Sequence, residues 1–89
     1  MNASKRGQVL LSRAMVARKH TITDASDAIG AGGGTLSRVL DGKRGVGMDL
    51  AAKIAKAYPE VYVGSWAEEP RSGEAMADVP RGRAPRQEA

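Results

Sequence analysis

Apolar residues recur at spacings of three and four along four successive runs, and the pattern breaks at Gly30, Gly42 and Pro59. That period belongs to amphipathic helices, so it dictates an all-helical chain. Leu11, Ala14 and Met15, with the Arg18 stem at the edge, form the first stripe, and Leu10 and Ala17 widen it. Ile22, Ala25 and Ile29 form the second, and Leu36, Val39 and Leu40 the third. Leu50, Ile54, Ala57 and Tyr58 form the fourth, with Ala51 and Ala55 beside them and Lys53 and Lys56 outward. Helices are therefore predicted over residues 8 to 19, 21 to 30, 35 to 41 and 48 to 58. The stretch 60 to 66 reads two ways. Val61-Tyr62-Val63 is strand-like, whereas Pro59 equally suits the first turn of a fifth short helix.

Boundary residues support this division. Thr21 and Asp24 have the spacing of a capping box, and Asp24 and Asp27 lie near the positive end of the second helix. Gly42 suits a left-handed helix end, and Pro59 disfavours helix in the residue before it. His20, at the junction before the second helix, reads as structural.

The third run carries the best candidate site. Thr35, Ser37, Arg38 and Asp41 lie off its apolar face, and Lys43 and Arg44 follow at once. Hydroxyls, an arginine and two adjacent cations suit contact with a polyanion. An ordinary solvated helix face is the alternative. Arg38 can make a bidentate pair with guanine worth roughly 1–3 kcal/mol of discrimination, or it can bind phosphate or pair with Asp41.

Ile29-Gly30, then Thr35-Leu36-Ser37-Arg38-Val39-Leu40-Asp41-Gly42-Lys43-Arg44, then Leu50-Ala51-Ala52-Lys53-Ile54-Ala55-Lys56-Ala57 resemble the lambda-repressor-like helix-turn-helix family of phage Cro and CI proteins and xenobiotic-response-type regulators. The resemblance covers roughly residues 8 to 66. It implies a compact four- to five-helix domain that binds double-stranded DNA as a homodimer and acts as a transcription regulator. Small phage repressors and antitoxins are comparable. It further implies base contacts from Thr35, Ser37 and Arg38, and backbone contacts from Gly33, Gly34, Lys43, Arg44, Lys5 and Arg6. Val61, Tyr62, Val63 and Trp66 are the expected dimer interface. Tyr58, Tyr62 and Trp66, the only aromatics, lie four apart; closing the core, making an interface or stacking on bases are their alternatives.

One segment departs from the family. Gly32, Gly33 and Gly34 stand where the recognition helix usually opens with polar side chains. Glycine reads no base, although it lets backbone amides approach phosphate closely. The same glycines do not make a nucleotide loop. A dinucleotide-binding turn needs a preceding strand, and a Walker loop needs Gly-Lys-Ser/Thr where this chain has Gly34-Thr35.

Composition narrows the remaining classes. The 89 residues suit one domain. With no cysteine and one histidine, neither a disulfide nor a metal centre is expected. No nucleophile–base pair or carboxylate pair stands out, so enzymatic activity and cofactors are not expected. No apolar run reaches the ~20 residues that span a bilayer. No signal-peptide core follows the basic N-terminus, so a cytoplasmic, nucleoid-associated protein without a membrane partner or small-molecule effector is expected.

Charge is uneven. Residues 1 to 67 hold ten Lys and Arg against five acids, whereas residues 68 to 89 hold four Arg against five acids. The expected organisation is a basic arm over 1 to 7, a basic DNA-binding domain over 8 to 67 and a disordered tail over 68 to 89. A module that uses the same fold to bind a host or toxin protein, with weak DNA affinity, is the competing function.

Overall fold

A computed structural model describes residues 5 to 79; residues 1 to 4 of the expected arm and 80 to 89 of the expected tail lie outside the described residues. The described chain is all-helical. Helices α1 (Arg6–Ala17), α2 (Ile22–Ile29), α3 (Gly33–Leu40) and α4 (Met48–Ala57) are followed by a short 3-10 helix, Val63–Ala67. Residues 60 to 66 thus contain a helical turn, and no strand occurs among the described residues.

α1 begins two residues earlier than its stripe suggests. The Lys5 N–H donates to Gln8 Oε1 at 2.7 Å, so Gln8 reaches back over the helix start. It also ends earlier, at Ala17. Lys19 takes the left-handed conformation at φ 59°. The Lys19 and His20 amides then donate to Val16 and Met15 at 3.0 and 2.8 Å. That is the termination pattern glycine usually supplies, and a lysine there gives no sequence signal. Ala17, counted in the stripe, is exposed, while Val9 is buried.

The α2 start follows its sequence. The Asp24 N–H donates to Thr21 Oγ1 at 3.2 Å, and the Thr21 N–H donates to Asp24 Oδ2 at 2.9 Å. The Thr21 backbone bond holds the Asp24 carboxyl below its ordinary pKa. Gly30 ends the helix at φ 82°, where any side chain would be strained.

The core gathers all four stripes. Leu11, Met15, Ile22, Ala25, Ile29, Leu36, Leu40, Ile54, Tyr58 and Val61 pack as one buried cluster. α2 lies against α3 and α4, and α1 against α3 and the 3-10 helix. Tyr58 is fully buried, yet its hydroxyl reaches His20 Nδ1 at 2.7 Å. Arg18 covers the Tyr58 ring at 4.8 Å and pairs with Glu60 at 2.7 Å.

Residues 68 to 79 correct the expected tail, because they form a strap along α1. The Arg6 N–H donates to the Glu68 carbonyl at 2.8 Å, and the Ala77 N–H donates to Ser12 Oγ at 2.9 Å. Arg6 Nη1 meets Glu68 at 3.0 Å and Nε meets Glu74 at 3.1 Å, and Nη1 also donates to the Tyr62 hydroxyl. Val79 inserts into the core cluster at 8 % exposure. Counting apolar residues missed this segment, because charge-assisted bonds to one arginine and a single buried valine order it.

Candidate nucleic-acid interface

α2 and α3 are joined by the three-residue turn Gly30, Ala31 and Gly32. Gly32 is the N-cap of α3, with extended backbone and no side-chain cap. The first-turn amides of α3 are therefore left to solvent or a ligand. A Cβ on Gly34 would meet nothing within 4 Å, and one on Gly33 would make ordinary contacts with Ser26 Oγ at 3.5 Å and Ile22 Cγ2 at 3.8 Å. Packing within the chain therefore does not demand these two glycines.

Leu36, Val39 and Leu40 anchor the inner face of α3. Arg38 is exposed, and Thr35 and Ser37 are half-buried. These three stand at the surface next to the uncapped helix start, as their spacing implies. The helix stops at Gly42, φ 77°. The Gly42 and Lys43 amides donate back to Val39 and Arg38 at 3.1 and 2.9 Å. This termination fixes where Lys43 and Arg44 leave the helix. Both are exposed and form no ion pair among the described residues.

The cationic surface extends beyond that loop. Arg44 and Lys53 line one shallow cleft with Asp49, and Lys53 and Lys56 line a second over the C-terminal end of α2 at Ala28, Ile29 and Gly30. Helical periodicity turns Lys53 and Lys56 outward. It does not say that they share a side with Arg44, so sequence reasoning left them out of the site. Cations there also suit the negative end of α2.

The two expected arm residues separate. Lys5 is exposed, and its Nζ pairs with Glu69 at 2.8 Å. Arg6 is not available to a phosphate. Its side chain is 12 % exposed and occupied by Glu68, Glu74 and Tyr62. The Arg6 guanidinium holds the Glu74 carboxyl below its ordinary pKa. The Tyr62 hydroxyl, ahead of Arg6, does the same for Glu68.

The expected dimer contact also needs correction. Val61 is fully buried in the core. Trp66 lies on α1, where a Cβ on Gly7 would come within 2.3 Å of its Cδ2, so the indole packs on bare backbone. Periodicity cannot show that a glycine on α1 makes room for a distant indole. Tyr62 and Val63 each remain 39 % exposed. Val63 and Met48, the latter 78 % exposed, border an apolar cleft with Val46, Ala51 and Trp66.

No protein-family model, curated protein or solved structure matches the chain.

Proposed function

We propose that the protein binds double-stranded DNA sequence-specifically through α2, its turn and α3, and acts as a small transcription regulator of the repressor type. The observation that carries this reading is the pairing of exposed Arg38, flanked by half-buried Thr35 and Ser37, with Lys43 and Arg44 at the same helix's end, which form no ion pair among the described residues. Lys53 and Lys56 extend the same field. Arg38 reads base edges, with Thr35 and Ser37 beside it, while Lys43 and Arg44 hold phosphates. The open backbone at Gly34, next to half-buried Gly33, lets the helix start approach the duplex closely.

One recognition helix reads few base pairs, so two copies on half-sites about one helical turn apart complete the reading. Val63, Tyr62 and Met48 form the proposed contact between them, with Trp66 supporting it from below. Selection from a genomic-fragment library with the purified protein supplies the operator. Titrations of that operator at several salt concentrations should then give a log–log slope of about −0.9 per phosphate neutralised. Salt-insensitive association would remove the DNA reading. Sedimentation at saturation should show two proteins per operator, and one would reject the dimer.

The apolar cleft beside Met48 supports a second reading, in which this surface takes another protein and DNA affinity is weak. Fragment selection that enriches no sequence would favour it.

A further inference from the structure

The start of α1 and the loop after α3 face each other across a cleft lined by Lys5, Gln8, Arg44, Gly45, Val46 and Trp66. Two cations thirty-nine positions apart thus border one space, and no acidic side chain among the described residues lines it. Gln8 holds the two walls together. It is 6 % exposed; its Oε1 accepts the Lys5 N–H at 2.7 Å, and its Nε2 donates to the Val39 carbonyl at 2.9 Å near the end of α3.

Neither wall is saturated. Arg44 has no ion pair among the described residues. A Cβ on Gly45 would meet nothing within 4 Å, so an oxyanion can approach the loop backbone. Trp66 Nε1 is buried without a hydrogen-bond partner among the described residues. The Lys5 ammonium, however, is held at 2.8 Å by Glu69, a strap residue that does not line the cleft. The strap thus supplies a carboxylate that competes with any anion for Lys5.

We propose that this cleft is a gated phosphate seat: Lys5 and Arg44 close on one phosphate group, and Glu69 opposes them by holding Lys5. The duplex as source of that phosphate rests on the DNA reading above; the seat itself rests on the cleft. An exposed pair such as Lys5–Glu69 is weak, so a phosphate group held by both cations at once displaces the carboxylate.

Trp66 is the only tryptophan and forms part of the cleft wall, so its fluorescence reports occupancy. The probes are inorganic tripolyphosphate and, separately, the selected operator duplex. Tripolyphosphate should change the Trp66 emission saturably. Arg44→Gln should weaken it on the order of tenfold, and Glu69→Gln should strengthen it about threefold at low salt. Glu60→Gln makes the same charge change beside Arg18, at the far end of α1, and should leave affinity within about twofold. In a Lys5→Met background the gain from Glu69→Gln should vanish. All these side chains are exposed, so folding should persist, and circular dichroism melts check it.

Equal gains from Glu69→Gln and Glu60→Gln would overturn the gate, leaving only a general field. A loss from Lys56→Gln as large as that from Arg44→Gln would overturn the seat. So would an unchanged emission with no heat of binding by calorimetry. An operator bound with a normal salt slope but indifferent to Arg44→Gln and Glu69→Gln overturns the duplex as the occupant of the seat and removes Arg44 from the phosphate contacts, while the rest of the DNA reading stands. Tripolyphosphate bound as described, with no duplex bound, retains the seat and removes the DNA reading.

Discussion

Gly7 illustrates how much a single residue decides. The indole of Trp66 lies where a Cβ on Gly7 would stand, 2.3 Å from Cδ2. Gly7→Ala must therefore push back a ring system rather than a flexible chain end. We expect a loss of roughly 1–3 kcal/mol in denaturant unfolding, in the range of overpacking at a rigid contact. A variant as stable as the parent would show that the indole moves freely. At the opposite extreme stands Gly34, exposed and with open space where its Cβ would go. Gly34→Ala should raise stability by about 0.5–1 kcal/mol through helix propensity. If the α3 backbone touches DNA there, the same change should weaken operator binding. On the proposed DNA reading, Arg38 and Lys43 separate the two kinds of contact. Arg38→Ala should cost roughly 1–3 kcal/mol on the operator and far less on random duplex. Lys43→Ala should weaken both alike and lower the salt slope by about one unit. Parallel titrations of the two duplexes decide it, and a selective Lys43→Ala would reverse the roles.

Among elements, the strap is the least expected. It is anchored at four places: Glu69 on Lys5, Glu68 and Glu74 on Arg6, the Ala77 amide on Ser12, and Val79 in the core. Removing residues 70 to 89 takes away Glu74, Ala77 and Val79. Burial of one valine alone is worth about 2 kcal/mol, so the truncated chain should melt several degrees lower. An unchanged melting temperature would mean that the strap contributes nothing net. The 3-10 helix Val63–Ala67 depends on the same anchoring, since Tyr62 joins the Arg6–Glu68 pair at its start.

Charge is segregated over the whole described molecule. The acids Glu60, Glu68, Glu69 and Glu74 are all paired with cations of α1 or its N-cap, namely Arg18, Arg6 and Lys5. Arg38, Lys43, Arg44, Lys53 and Lys56 make no such pairs. The net positive field thus belongs to the α3–α4 side. Acid should loosen the other side. Glu68 and Glu74 have folded-state pKa values below the ordinary carboxylate value near 4.3. Their stabilisation is present above that value and is lost as the pH falls through the lower folded-state value. The stability cost of Glu74→Gln should be full at pH 7 and shrink toward zero below about pH 4. Chemical denaturation of both chains across that range tests it, and a pH-independent difference would exclude the Arg6–Glu74 pair as its source.

Hydrophobic period and local capping chemistry act within a few residues, and the amino-acid order alone reveals what they control. It located four helices, the Thr21–Asp24 cap, the stops at Gly30 and Gly42, and the three side chains that α3 carries at the surface. Chain-distant contacts leave no periodic trace, so tertiary structure alone decided the rest. Arg6 faces two strap carboxylates rather than solvent, Val61 fills the core rather than an interface, and Trp66 lies on Gly7. Lys5 and Arg44 border one cleft because Gln8 bonds the start of α1 to the end of α3. The lysine at the left-handed stop of α1 also leaves no trace in the sequence, since residues other than glycine seldom take that conformation.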